Sequence, residues 1–302
     1  MKLTTKEISF IAKDFDEKSQ VSLFANVQEA VSGAEEKSLT AKGIYKDGKL
    51  TKKAREILEI VASAKKCTRL ILKDSFIFIE KYTYKANNKL ALVENDGGDM
   101  IFSMTDNLPK TVEQISEFTG KSIFKSSGVE ILLSADELLI FLAMIDIYRR
   151  NAMLAYVGHG VEKAVVSLNE IMKQINDPSP NSLVKLFKQN YNYPIPQVEN
   201  AKVILKKLTR KDFVTFNNGY ELISDYAVFA KSFLVPETII MIDTFNVNEK
   251  DEVIVAGGIC ITAGLRNIAS FIMGNDGIDM SSLSGSQLLQ MVENFLKCPD
   301  IS

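Results

Sequence analysis

The chain has 302 residues, and its 36 Lys and Arg against 38 Asp and Glu give a formal net charge of −2. Hydrophobic residues make up 46% and charged residues 25% of it, proportions typical of a globular protein. The near-neutral charge gives no global reason to expect nucleic acid or an anionic membrane as a partner. Three cysteines far apart in the sequence favour buried thiols in a reducing compartment over a disulfide framework.

The sequence carries no targeting signal that we recognise. Its first residues are polar and lack the apolar middle of a signal peptide. The longest apolar run, residues 138–145, is too short to span a bilayer. We therefore expect a cytoplasmic protein without a membrane-spanning segment.

Residues 37–73 organise the first part of the chain. Their pattern predicts a helix end, a tight turn at Asp47-Gly48, a helix over residues 51–64 and a short strand from Arg69. The Asp-Gly pair tolerates the positive φ of a reversal, and Thr51 stands where a helix N-cap would. Two short helices, over residues 3–12 and 21–31, are predicted before this stretch.

Alternating apolar residues then predict an antiparallel meander. Its three strands cover residues 75–84, 89–94 and 99–103, with turns at Asn87-Asn88 and at residues 95–98. The absence of helices between these strands argues against a βαβ array. A helix over residues 108–118 follows.

A helical segment is predicted next. After a strand over residues 130–133, Ser134 and Glu137 match a capping box that opens a long apolar helix. Helices over residues 161–175 and 181–190 follow, separated by a proline-containing hinge.

The last third repeats the order of the first. A helix, a Gly-containing turn and a second helix precede strands over residues 237–245, 252–256, 258–262 and 267–273 and a terminal helix over 286–296. We interpret this as an internal duplication within a single α+β domain. The expected parts are a first half over residues 1–129, a helical connector over 130–196 and a second half over 197–302.

No pattern indicates a catalytic, metal or cofactor site. The only histidine, His159, lies between two glycines and is expected to be a solvated loop residue. The glycine-rich residues 256–264 lack the Gly-Lys-Ser/Thr ending of a phosphate loop and are predicted to form a hairpin or bulge. We therefore expect a protein that is not an enzyme and uses no cofactor.

Local charge offers a second interpretation. Residues 37–73 contain 11 Lys or Arg and 3 Asp or Glu. On a helix-turn-helix-like element followed by a hairpin, this excess is compatible with a winged-helix-like DNA-binding regulator. Since a solvated helix face gives the same pattern, DNA binding is kept as the alternative function, and nucleic acid is not the expected partner.

Two stretches combine into a pattern of known type: Leu39…Gly43-Ile44…Asp47-Gly48-Lys49-Leu50…Leu58…Val61, and Leu133-Ser-Ala-Asp-Glu137. With these two stretches the sequence resembles the EspG family of cytoplasmic chaperones of type VII (ESX) secretion systems. This resemblance implies an α+β, EspG-like duplicated fold, in which antiparallel sheets of two quasi-symmetric halves are flanked by helices. The Lys- and Asn-rich composition indicates an EspG-like or EsaE-like chaperone of a Firmicute.

The resemblance also implies a function by binding alone. Such a chaperone keeps a secreted helical-hairpin client, here of the WXG or LXG type, soluble for export; a homo-oligomer is left open. The family uses loops and strands of its central sheet for this, and no functional residue carries over by identity. Applied to this chain, the expected client-binding residues are Phe78, Tyr82, Tyr84, Lys85, Asn87, Asn88, Phe245 and Asn246.

Overall fold

The computed structural model describes residues 1–27, 32–104, 108–190, 196–264 and 266–301. Its helices are α1 (Thr5–Ile11), α2 (Leu23–Asn26), α3 (Ala34–Ala41), α4 (Lys52–Ser63), α5 (Leu108–Thr119), α6 (Ala135–Gly158), α7 (Leu168–Asn176), α8 (Leu183–Asn190), α9 (Val198–Arg210), α10 (Ser224–Ser232) and α11 (Gly285–Leu296). Its strands are β1 (Lys2–Leu3), β2 (Tyr45–Lys46), β3 (Lys49–Leu50), β4 (Lys66–Lys73), β5 (Phe78–Ala86), β6 (Lys89–Asp96), β7 (Asp99–Met104), β8 (Glu130–Leu133), β9 (Val214–Phe216), β10 (Tyr220–Leu222), β11 (Thr238–Val247), β12 (Val253–Ala263), β13 (Asn267–Gly274) and β14 (Gly277–Leu283).

Ten strands form a large antiparallel sheet. Their order is β1-β7-β6-β5-β4-β11-β12-β13-β14-β8, and the remaining strands form the hairpins β2-β3 and β9-β10. Helices flank this sheet, so the predicted α+β class with an antiparallel sheet is confirmed.

The chain divides into two compact units. The first comprises Met1–Phe118, Ile239–Ile259 and Ser286–Ser302, and the second comprises Thr119–Thr238 and Cys260–Gly285. The predicted division at residues 129 and 196 rests on a duplication and stays a prediction.

In the first unit, helices α1 to α4 cover part of one face of the sheet. Leu58 and Val61 of α4 belong to the same buried cluster as Tyr84 of β5, Val93 of β6 and Phe102 of β7. Each such apolar side chain contributes about 1.5–3 kcal/mol when it is fully buried. This packing fixes the outer strands of the meander beneath the helices.

The opposite face of the same strands is covered by α5 and α11. Thr68 of β4 donates a hydrogen bond to the Phe295 carbonyl at 2.7 Å. Lys81 of β5 donates to Gln114 of α5 at 2.9 Å. The middle of the meander is therefore held from both sides.

In the second unit, the long helix α6 forms the centre of the core. Its buried Asp146 accepts hydrogen bonds from the backbone N–H groups of Leu183 and Val184, both at 3.0 Å, and from the Arg149 guanidinium at 2.7 Å. The carboxylate thus caps the start of α8, whose orphan N–H groups need an acceptor. Phe187 of α8 packs edge-on against Phe271 of β13, with ring centroids 4.8 Å apart.

Several local predictions are confirmed. Strand β8 has the predicted bounds, and Ser134 and Glu137 form the capping box that opens α6. Asn87 and Asn88 both have positive φ in the turn between β5 and β6. Part of the predicted helix over residues 21–31 lies outside the described residues.

Two local predictions are wrong. Residues 161–167 are not helical, because Val166 exchanges backbone hydrogen bonds with Tyr220 of β10, both at 2.8 Å. For the glycine-rich residues 256–264 the hairpin is wrong, since residues 253–263 are the continuous strand β12, and the alternative of a bulge stays a prediction. Strand β14 was not predicted.

None of the described helices is both long enough and apolar enough to cross a membrane.

Candidate functional site

A loop of the first unit displays three adjacent apolar side chains. We call residues 74–78, which join β4 to the first residue of β5, the apolar loop. The side chains of Phe76 and Phe78 are 97% and 58% exposed, and Ile77 between them is also exposed. Adjacent exposed apolar groups of this size are uncommon on a surface that contacts only water. The loop therefore qualifies as a partner-binding element.

Hydrogen bonds give the apolar loop a defined shape. The Asp74 carboxylate accepts the backbone N–H groups of Phe76 at 2.6 Å and Ile77 at 2.7 Å. The Asp74 N–H in turn donates to the Ile77 carbonyl at 3.0 Å. Because an Asp side chain stabilises a turn in this way, the exposed phenyl rings are held on an ordered backbone.

The apolar loop continues into a partly open face of the sheet. Strand pairing aligns Tyr82 of β5 with Arg69 of β4, and Arg69 with Asp243 of β11. Side chains two residues apart point to the same face of a strand. We call this surface the open strip; its members, all at least partly exposed, are Phe78, Glu80, Tyr82, Arg69, Ile239, Met241 and Asp243.

Polar groups of the open strip satisfy one another. Arg69 donates to Asp243 Oδ2 from Nη2 at 2.6 Å and from Nε at 3.2 Å. Tyr82 donates its hydroxyl proton to Glu80 at 2.6 Å, and burial, followed by this carboxylate, raises the pKa of Tyr82. A partner that covers the strip therefore leaves few polar groups unpaired, which keeps the cost of desolvation small.

The predicted tyrosines lie at the boundary between the covered and the open surface. Tyr82 and Tyr84 stack with ring centroids 6.3 Å apart and an interplanar angle of 19°. Tyr82 is half-buried, whereas Tyr84 is 2% exposed within the core beneath the N-terminal helices. A partner can reach the first ring without rearrangement and cannot reach the second.

The other predicted residues fall into two places. Phe245 of β11 is half-buried and pairs in register with Cys67 of β4. It lies two residues after Asp243 on the same face of β11. Lys85, Asn87 and Asn88 line a separate cleft of about 390 Å³, which we call the lysine cleft. Asn246 is buried, and its backbone pairs with that of Lys66, another lining residue.

The apolar loop is not evident from the sequence pattern. Phe76 and Ile77 continue the apolar alternation of β5, and this alternation predicts a strand there. The useful signal was Asp74, since an Asp before an apolar run can end one strand and cap a turn. The remaining members of the strip come from strands distant in sequence, and only their pairing brings them together.

The basic stretch over residues 37–73 does not form a free winged helix. Strand β4, at its end, lies between β5 and β11 inside the large sheet. Part of its charge is neutralised by carboxylates from outside the stretch, in the pairs Lys42–Glu7, Lys66–Asp300 and Arg69–Asp243. DNA binding through this region is not favoured.

The residues considered for catalysis occupy structural positions. His159 caps the C-terminus of α6 with a φ of 51° and is exposed, and Gly257 lies within β12. Within the described ranges, no group of three or more His, Cys, Asp or Glu side chains is arranged to hold a metal ion.

Comparison with known proteins shows similarity in fold to a solved structure and no match in sequence. No protein-family model and no curated protein sequence matches the chain. Among solved structures, the chain matches the Mycobacterium tuberculosis type VII secretion system chaperone EspG5, determined in complex with a PE25-PPE41 dimer, with a TM-score of 0.54. The match covers 99% of this chain and 94% of that chain at 5% sequence identity.

The chain has the fold of EspG5. At this identity the likeness concerns the fold alone, and it confirms the expected EspG-like architecture without transferring a partner or a binding residue.

Proposed function

We propose that the protein is a chaperone of a type VII secretion system that binds a secreted helical client through the apolar loop and the open strip. The observation that carries the proposal is the ordered loop with exposed Phe76 and Phe78. The fold shared with EspG5 supports it, because that protein is a secretion chaperone.

The client surface follows from the chemistry of the site. A helical-hairpin client of the WXG or LXG type has an apolar tip where its two helices meet. Phe76 and Phe78 would insert beside this tip, and Tyr82 and Met241 would pack against it on the strip. Aromatic side chains of this kind account for much of the binding energy at protein interfaces.

The mechanism requires binding and no chemical step. Covering the apolar tip keeps the client soluble in the cytoplasm of the Firmicute host and leaves its export signal free for the secretion ATPase. Tyr84 contributes by supporting Tyr82 from the core. Phe245 lies at the edge of this surface and is proposed as a minor contact.

Capture of the client with matched variants tests the proposal. The tagged chain and its Phe76→Asp variant would be used to isolate bound proteins from the native host, followed by mass spectrometry. We expect the native chain to capture a small helical secreted protein. The Phe76→Asp variant should recover at least about tenfold less of it, because a carboxylate replaces an aromatic ring that the client would desolvate.

Phe124→Asp is the matched control. This phenylalanine is 72% exposed in the second unit, so the same change tests for a general loss of apolar surface. Equal recovery of the client by native chain and Phe76→Asp variant would contradict the proposal. Recovery of a second copy of the chain alone would instead favour a homo-oligomer.

A further inference from the structure

The lysine cleft lies away from the open strip and concentrates positive charge. Its lining residues are Ser63, Lys65, Lys66, Lys85, Ala86, Asn87 and Asn88. Lys66 and Lys85 stand directly opposite each other on β4 and β5. Like charges in this position repel and destabilise a strand pair unless an anion lies between them.

The chain supplies one such anion from the segment after α11. The Asp300 carboxylate forms an ion pair with Lys66, and the charges of Lys66 and Lys85 lower the pKa of Asp300. One residue earlier, the Pro299 carbonyl accepts a hydrogen bond from the Asn246 side chain at 3.2 Å. Asn246, whose backbone pairs with that of Lys66 beside the cleft, and Lys66 thus hold a backbone carbonyl followed by a carboxylate, which is a peptide feature.

The Pro299-Asp300 segment leaves some hydrogen-bonding and charged groups of the site without partners in the described part of the chain. The Asn246 Oδ1 atom is buried and has no hydrogen-bond donor among the described residues. Proline has no backbone N–H, so Pro299 offers this amide only a carbonyl. Within the described residues, Lys65 and Lys85 have no carboxylate at ion-pairing distance, and Asp300 itself is 87% exposed.

We propose that the lysine cleft binds an acidic segment of a partner protein, and that this segment displaces Asp300. A segment with a non-proline residue before its Asp or Glu would offer Asn246 both a carbonyl and an N–H. A second carboxylate would reach Lys85. Charge-assisted hydrogen bonds of this kind are stronger than neutral ones, and a peptide therefore has more to gain than the internal segment.

The internal segment sets the threshold for binding. Because it is tethered, Asp300 competes as if present at a concentration on the order of millimolar. Only a partner segment that makes the additional contacts can replace it. The site goes beyond client capture, since Lys66 and Lys85 alternate with the strip residues and point to the other face of the sheet.

Fluorescence anisotropy with the full chain tests the inference. The probe is a fluorescein-labelled peptide with the sequence Ser-Ala-Asp-Asp-Ile-Ser, and its neutral analogue carries Asn in place of both Asp residues. Titrations compare the native chain with the Asp300→Ala variant and with the Asp300→Ala chain that also carries Lys66→Gln or Lys85→Gln. Lys250→Gln, at an exposed position in the turn between β11 and β12, is the control.

We expect Asp300→Ala to bind the acidic peptide at least about tenfold more tightly than the native chain, because the tethered competitor is removed. Adding Lys66→Gln or Lys85→Gln to the Asp300→Ala chain should reverse this gain in affinity, whereas Lys250→Gln should not. Added salt should weaken binding of the acidic peptide. Melting temperatures would verify that each variant is folded.

Two results would overturn the inference. The first is equal binding of the acidic and neutral peptides by the folded Asp300→Ala variant. The second is tighter binding of a single-stranded oligonucleotide than of the peptide, with the same dependence on Lys66 and Lys85, which would assign the cleft to nucleic acid.

Discussion

In each unit, a buried glutamate stabilises the N-terminus of the helix that follows an edge strand. Glu7 closes a capping box with Thr4 at the start of α1, and its carboxylate also pairs with Lys42 at 2.7 Å. Glu137 closes the corresponding box with Ser134 at the start of α6 and pairs with Lys211 at 3.1 Å. In both, burial acts to raise the pKa, but the lysine and backbone hydrogen bonds outweigh it and lower the pKa.

Neutralising either glutamate should destabilise the fold in a pH-dependent manner. A lowered pKa in the folded state contributes stability above the unfolded pKa of about 4.5, and this contribution is lost as the pH falls through the folded value. We expect Glu7→Gln and Glu137→Gln each to lower the free energy of unfolding by about 1–3 kcal/mol at neutral pH, and by less at about pH 3.

Urea unfolding at the two pH values measures this difference. Glu249→Gln, at an exposed position, is the control and should change stability by less than about 0.5 kcal/mol. A loss of the same size at both pH values would show that the carboxylate charge is not its source.

At the scale of residues, the sequence predicted the aromatic face but not its boundary. Tyr82 and Tyr84 share a face because they are two residues apart, and the structure stacks them. The two tyrosines differ in exposure because helices from elsewhere in the chain bury the ring of Tyr84 and leave that of Tyr82 half-exposed. Local pattern carries no information about that cover.

At the scale of elements, strand β12 shows why a glycine-rich stretch need not be a turn. A Cβ atom at Gly257 would lie 2.4 Å from the Ile242 carbonyl oxygen and 2.8 Å from Asp243 Oδ1. The glycine therefore permits close approach of β11 and gives the Asp243 carboxylate room beside Arg69. Sequence patterns located most strands and helices, but close approach between strands depends on pairing that they do not contain.

Gly257→Ala should force these strands apart. We expect the free energy of unfolding to fall by about 1–3 kcal/mol, as is common for overpacked interiors, and binding of the client to weaken because Asp243 is displaced. Chemical denaturation measures the first effect. Gly128→Ala is the control, since its Cβ would meet no atom within 4 Å, and an equal loss of stability in both variants would contradict this role of Gly257.

At the scale of the whole molecule, two series of elements follow the same order. Each has an edge strand, a capped helix, a helix, a short hairpin, another helix, four sheet strands and a final helix, first from β1 to α5 and again from β8 to α11. Between the capped helix and the next shared helix, the described part of the first series has one additional α-helix, α2, and that of the second has two, α7 and α8. Strand β1 pairs with β7, and β8 pairs with β14 in the same antiparallel sense. We propose a duplication whose second copy begins at β8. The order of the later elements was readable from the sequence, whereas this start was not, because it depends on the pairing of β8 with the distant strand β14.

Hydrogen–deuterium exchange of the chain, alone and with the captured client, shows whether the apolar loop and the open strip bind the client. Exchange measures how readily each backbone amide opens to water. We expect the client to slow exchange most in residues 74–82 and also in residues 239–243, and to leave residues 154–161 unaffected. The Phe76→Asp change should abolish this protection. Protection confined to residues 154–161, where Tyr156 and Val161 are also exposed, with none at the apolar loop, would contradict this expectation.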